Sequence, residues 1–137
     1  MKNKIIAITL IIYCLTSCTS KEKPEDFREF LVQFSSKRDF QLTRIQFPLE
    51  SLSLTEDLDA TKTNMIKRED WKFENIFYGK GCSEIYPQVF DNFEMKLKES
   101  DERVLAWRGI ENGIAIFYYF KLIDGKWFLV KKEDSST

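Results

Sequence analysis

Histidine is missing from the chain altogether. Its absence removes Ser-His-Asp and Cys-His catalysis, His-bearing zinc sites and the imidazole pH switch that works near neutrality. Glycine (5) and proline (3) are scarce, which excludes collagen-like repeats and low-complexity linkers as the organising principle. With 21 Lys plus Arg against 22 Asp plus Glu, there is no excess of positive charge to capture nucleic acid, and none is expected as a partner. Gly-rich phosphate cradles, heptads and internal repeats are also missing. The acidic cluster Glu56, Asp57, Asp59 lacks the glycine and closing glutamate of a calcium loop, so neither metal nor other cofactor is expected. What the 137 residues do have is a 43% hydrophobic and 15% aromatic composition, enough for one folded domain.

The N-terminus is unlike the rest. Met1 to Lys4 form a basic start and Ile5 to Leu15 an apolar run, the two parts of a secretory signal. Eleven residues are too few to span a bilayer as a helix, which takes about 20. The run ends in Leu15-Thr16-Ser17-Cys18, which resembles the lipobox of bacterial lipoproteins. That resemblance implies recognition of Leu15, Thr16 and Ser17 by a signal peptidase, lipid on the Cys18 sulfur, and cleavage that makes Cys18 the first residue. Acyl chains contribute roughly 0.8 kcal/mol per buried methylene and hold such a protein on a membrane without a spanning helix. The expected division is therefore a signal peptide over 1–17, a lipidated cysteine and polar tether over 18–23, and one domain over 24–137. Thr19 is not the Asp that retains lipoproteins in the inner membrane, so the resemblance implies the outer membrane of the cell envelope.

Cleavage would remove Cys14 and lipid would consume Cys18, leaving Cys82 as the only thiol. An internal disulfide is then excluded. Cys82 reads as a nucleophile or as a small buried residue, and the second is favoured because no histidine activates it.

From Pro24 the chain has the periodicity of a fold. Pro24, Glu25 and Asp26 suit a helix N-terminus, and Phe27, Phe30, Leu31 and Phe34 follow at i, i+3, i+4 and i+7, an apolar helical stripe ending at Ser35-Ser36-Lys37. Asp39 is placed to cap a short turn through Arg44, after which Ile45, Phe47 and Leu49 alternate as a strand. Pro48 assigns that strand to a sheet edge or ends it there. Ser51 to Asn64 is polar with scattered leucines and reads as containing the least ordered loop. Tyr86 to Phe90 reads as a helical turn or a strand start, and Phe93, Met95 and Leu97 alternate as a strand with one wet face. Val104 to Ile110 and Ile114 to Ile123 are further strands; the second is apolar on both phases and belongs mid-sheet. Asp124-Gly125 turns the chain into Lys126 to Lys132.

One amphipathic helix followed by a strand meander implies an α+β domain, an N-terminal helix on a bent antiparallel sheet. Asp39-Phe40-Gln41, Arg44, Phe47-Pro48-Leu49, Ile110 to Gly113 and Asp124-Gly125-Lys126-Trp127 together resemble an uncharacterised family of Bacteroidetes lipoproteins, domain of unknown function 4348. Members of that family resemble the nuclear-transport-factor-two-like, or cystatin-like, cone. The resemblance implies a fold with a pocket at its open end and not an activity, because this superfold hosts both enzymes and inert scaffolds.

Two functions are weighed. A binding module would use aromatics to line the pocket, with Trp71, Trp107, Tyr118, Tyr119 and Trp127 as candidates and Arg44 or Arg108 meeting an anionic group. Arg44 reads equally as the partner of a carboxylate that holds the first helical turns. The expected partners are the membrane, through the lipid, and a small apolar or glycan ligand or an envelope protein. The alternative is a histidine-free, metal-free general acid/base enzyme of isomerase or dehydratase type, with Asp39 or Asp91 as base and Tyr118 or Tyr119 as oxyanion donor. Binding is preferred because it demands fewer groups.

Overall fold

The structure is a computed structural model that describes residues 23–55, 60–76 and 85–137. The lipobox, Cys18, most of the tether and Cys82 lie outside the described residues. Among the described residues no helix is long and apolar enough to cross a membrane.

Helix α1 spans Phe27–Ser36, with the Asp26 carboxylate accepting from the Glu29 backbone N–H at 2.9 Å as its cap. The Phe27, Phe30, Leu31, Phe34 stripe turns inward, and Phe30, Leu31 and Phe34 are buried. Helix α2, Arg38–Thr43, follows at once. Its cap position is Lys37, not Asp39. Asp39 lies in the first turn, exposed, where a carboxylate complements the helix dipole.

Among the described residues six strands make one sheet: β1 Ile45–Leu54, β2 Thr61–Ile66, β3 Ile85–Phe90, β4 Glu102–Gly109, β5 Ala115–Ile123 and β6 Lys126–Asp134, in the order β2-β1-β6-β5-β4-β3. The expected all-antiparallel sheet is corrected at one place, because β1 runs parallel to β6. The chain returns from α2 alongside its last strand, a long-range pairing that no local turn dictates. Strand β5 does lie mid-sheet, and its turn into β6 has Asp124 and Gly125 at φ 49° and 75°, the left-handed pair a two-residue hairpin requires.

Two further expectations are overturned, and a third stretch is more regular at its ends than its polar composition suggests. Within Ser51 to Asn64, which is expected to contain a loop, Ser51 to Leu54 pair with Thr61 to Asn64 as strands. Polar and β-branched residues suffice for a ladder at a sheet edge, where a buried face is not demanded of every residue. Pro48 is not in an edge strand, nor does it end β1. It sits behind a cis Phe47–Pro48 bond at the gap between Ile45 and Glu50 in the β1–β6 register, where the missing donor leaves no rung unpaired. Finally, Phe93 to Leu97 is a turn segment and not a strand. The Asn92 side chain accepts from Lys96 N and donates to Lys98 O, Met95 takes a φ of 56°, and Leu97 is 90% exposed. Asparagine competing for backbone groups overrides a short alternation.

The helices meet one face of the sheet. Phe27, Phe30 and Phe34 set their rings 5.4 to 5.5 Å from that of Phe120, edge to face, and Phe27 does the same to Trp127 at 5.0 Å. Leu49, Leu105, Leu129, Trp71 and Ile76 complete this core. The opposite face has its own smaller cover, Phe93 packing edge-on to Tyr119 at 5.4 Å.

Candidate functional site

Among the described residues, two partly buried polar clusters lie on the helix side. The first is at the root of the tether. Glu25 takes Arg44 in a two-point grip, Nη1 to Oε2 at 2.8 Å and Nη2 to Oε1 at 3.0 Å. The same carboxylate accepts from Trp127 N, the Glu25 carbonyl accepts the Trp127 indole N–H, and Glu25 N donates to Gly125 O. Arg44 Nη1 also donates to the Trp127 carbonyl, and its guanidinium lies over the rings of Phe40 and Phe128. Both Glu25 oxygens and both terminal Arg44 nitrogens are bonded, so Arg44 is a carboxylate partner that fastens the chain before α1 to the β5–β6 hairpin. Beside it is an open cleft of about 410 Å³ with Glu25, Asp26, Glu99, Arg103 and Trp127 in its wall. Arg103 is committed there too: it lies over Trp127, donates to the Asp91 and Ser100 carbonyls and faces the Asp91 carboxylate at 3.8 Å.

The second cluster is reached through Gln41. This fully buried amide donates to Phe34 O and Glu74 O and accepts from Trp71 Nε1 and Glu74 N. Four bonds saturate it and lock Glu74 in place above the sheet. The Glu74 carboxylate accepts the Tyr118 hydroxyl at 2.8 Å through Oε2 and pairs with Lys132 through Oε1. The Lys132 ammonium also lies 5.6 Å from the Tyr118 ring centre. Burial first, then the Glu74 charge and its hydrogen bond, then Asp134, push the Tyr118 hydroxyl far above the usual tyrosine range, so it is a permanent donor.

The register sets what surrounds this cluster. One row across the helix-side face reads Val89, Leu105, Tyr118, Lys132, Ser51, Asn64, and the next reads Pro87, Trp107, Ile116, Asp134, Ser53, Lys62. Lys132 and Asp134 belong to these rows because the β5–β6 pairing shifts between Tyr119 and Phe120. A bulge at Val130 exchanges the faces of the residues after it.

Of the residues expected to line a pocket, only Trp107 and Tyr118 stand on these rows. Trp71 and Trp127 are buried with their indole N–H groups committed to Gln41 and Glu25. Tyr119 is on the opposite face, donating to Glu133 with Lys131 over its ring at 4.1 Å. Burial first, then that hydrogen bond and charge, push it up to about 12. Arg108 is exposed on the opposite face, over Phe117 at 5.4 Å. Asp39 and Asp91 are brought to neither tyrosine. Glu74 and Lys132 escaped sequence reading: Glu74 lies in an irregular segment with no period, and Lys132 is one of two adjacent lysines whose faces only the bulge decides.

With the geometry in hand, similarity becomes informative. A family model whose description reads only "-like" matches residues 25–134. The chain belongs to that family. No curated protein matches it. Among solved structures, it is similar to an NTF2-like protein from Bacteroides fragilis, at 25% identity and a TM-score of 0.59. That alignment covers 83% of this chain and 48% of the other, so the chain spans about half the length of this neighbour. It is also similar to a cystatin-like protein from Bacteroides caccae, at 27% identity and a TM-score of 0.53, over 83% of this chain and 78% of that one. A Bacteroides uniformis protein shares the fold at 24% identity and a TM-score of 0.53, over 80% and 76% of the two chains. The structural neighbours are thus Bacteroides proteins, two of them described as NTF2-like and cystatin-like.

Proposed function

We propose that the protein is a lipid-anchored cell-envelope binding module, of the lipoprotein family that its FQxxRxxFPL string resembles, with its ligand site on the two polar and aromatic rows of the helix-side face. The observation that carries this reading is the Glu74, Tyr118, Lys132 cluster. Desolvating two charges and a hydroxyl costs stability unless the geometry is good, and a helix-side core of apolar residues would avoid that cost. Its neighbours Trp107, Asp134, Ser51 and Ser53 are all partly exposed.

The direction of the anchor supports the same reading. Glu25 is bonded to Gly125 at the hairpin tip, whereas Tyr118 and Ile116 are seven and nine residues back along β5. At about 3.3 Å per residue the rows stand roughly 23 to 30 Å from the hairpin tip. A lipid at Cys18 would place them facing away from the bilayer, open to a ligand in the aqueous phase.

Catalysis is the weaker reading. Tyr118 is a neutral donor, but the carboxylate beside it is held by Lys132, and Asp39 and Asp91 lie elsewhere. Metabolic labelling with palmitate tests the anchor: Cys18→Ala should lose incorporation, and retained label would refute it. Thermal-shift screening against envelope lipids, glycans and metabolites, followed by ¹H–¹⁵N NMR of any hit, tests the site. Shifts centred on residues 105–107, 116–118 and 132–134 are expected; shifts confined to the Glu25, Arg44 and Trp127 clamp would refute the assignment.

A further inference from the structure

The two rows are divided along their length, and the division specifies a ligand. On the β3–β4 side they carry Val89, Leu105, Pro87, Trp107 and Ile116; on the β6–β1–β2 side they carry Lys132, Ser51, Asn64, Asp134, Ser53 and Lys62. An apolar strip whose one aromatic is the partly exposed Trp107, with Leu105 buried beneath it, therefore lies beside a field of hydroxyl and charged groups. We propose that this surface binds a neutral oligosaccharide, one sugar ring stacking on Trp107 and the next directing its hydroxyls to Asp134, Ser53 and Lys132. The proposal rests on the binding-module reading above and names its ligand class.

Three observations select this class. Charge comes first: Lys132 and Lys62 are matched by Asp134 and Glu74, so the polar side has no net field to favour an anionic or a cationic ligand. The second is hydrogen-bonding capacity. Lys132 has three donors and gives one contact to Glu74, Asp134 gives Oδ1 to Ser136 N at 3.1 Å, and Ser51 and Ser53 each carry a hydroxyl, so donors and acceptors are mixed as vicinal hydroxyls demand. The third is span. Trp107 and Asp134 are two strands apart in one row, about 10 Å at the usual spacing, a distance that two linked pyranose rings cover. Trp107 is also the tryptophan left for stacking: the other two bury their rings and commit their N–H groups. A lipid tail would match the apolar half and leave Asp134 and Lys132 facing hydrocarbon, a desolvation cost without return.

The test uses the folded chain beginning after the lipidation site, uniformly ¹⁵N-labelled, titrated with N,N′-diacetylchitobiose, cellobiose and maltotriose, and with digalacturonate and laurate as charged and apolar comparators. The expected result is a shift of the Trp107 indole N–H signal by at least one neutral saccharide, with the Trp71 and Trp127 indole signals unmoved. Trp107→Ala and Asp134→Asn should each weaken that binding at least tenfold, and Trp107→Phe, which keeps a stacking face, should retain part of it; near-UV circular dichroism checks that each variant is folded. Laurate or digalacturonate moving these rows while no neutral saccharide does would overturn the saccharide and keep the binding module. Failure of every probe to move residues of these rows would overturn both.

Discussion

Two partly buried ion pairs on the helix side differ in how they are made. At the tether root, Glu25 and Arg44 spend both oxygens and both terminal nitrogens on each other and add bonds to the Trp127 backbone. At the far rows, Lys132 meets Glu74 through one oxygen and the remaining groups nearby are short, partly exposed and only partly committed. Burial of charge is common to the two and does not separate them. The form of the pairing does: a two-point pair with added backbone bonds fastens the fold, while Lys132 meets Glu74 at one point, the other oxygen taking Tyr118, and its ammonium keeps donors for a new partner.

The sharpest way to break the contrast is to attack the packing that the first region closes. Phe120 is fully buried beneath three rings of α1. Phe120→Ala should cost about 3 to 5 kcal/mol in urea denaturation, with m unchanged. A smaller loss would mean that α1 closes over the cavity. Next in size is the clamp. Arg44→Met leaves Glu25 without its two-point partner and should cost roughly 3 kcal/mol, read by the same denaturation curve, while leaving the Trp107 indole NMR signal in place. If that signal moves as well, the two regions are coupled and the contrast is too sharp.

How far these regions could be read from sequence follows from what fixes each. The α1 stripe at Phe27, Phe30, Leu31 and Phe34 and the Asp124-Gly125 turn depend on neighbours within a few residues, and both are where periodicity and turn chemistry place them. Arg44 was open between ligand and carboxylate, and only the return of β1 beside β6 brings it to Glu25. The far rows were illegible for a specific reason. Alternation counted back from Trp127 and Leu129 puts Lys131 and Glu133 on the helix side, and a one-residue bulge at Val130 puts Lys132 and Asp134 there instead. Glu74 depends on Gln41, a polar residue 33 positions away whose burial no local pattern announces.

A smaller effect is expected inside the second region itself. In a double-mutant cycle of Lys132→Met and Glu74→Gln, the coupling energy should be about 1 kcal/mol, because both side chains keep some exposure to water and meet at one point. The equivalent cycle on Glu25→Gln and Arg44→Met should give a distinctly larger coupling. Equal values would erase the distinction drawn between the pairs.

The smallest effect compares neighbours on opposite faces, Tyr118 and Tyr119. Both hydroxyls donate to a carboxylate, so folding favours the protonated phenol of each and the folded-state pKa is raised above the unfolded value of 10.0. For a group of that sign the stabilisation is complete below the unfolded value and is lost as pH climbs toward the folded one. Tyr119, raised to about 12, should thus contribute a fall in unfolding free energy between roughly pH 10 and 12, whereas Tyr118 should remain protonated throughout that interval. Tyrosine ¹³Cζ shifts followed through an alkaline titration distinguish the two, with Tyr119 half-ionised near 12. Tyr119→Phe should flatten the stability curve in that window relative to wild type. Tyr118→Phe should flatten the slope in that window at least as much, because a phenol that stays protonated in the folded protein and ionises near 10.0 unfolded loses stability across the whole interval and beyond it. Tyr118 ionising together with Tyr119 would show that water already reaches Glu74, and the cluster would then be an open surface pair instead of a desolvated one.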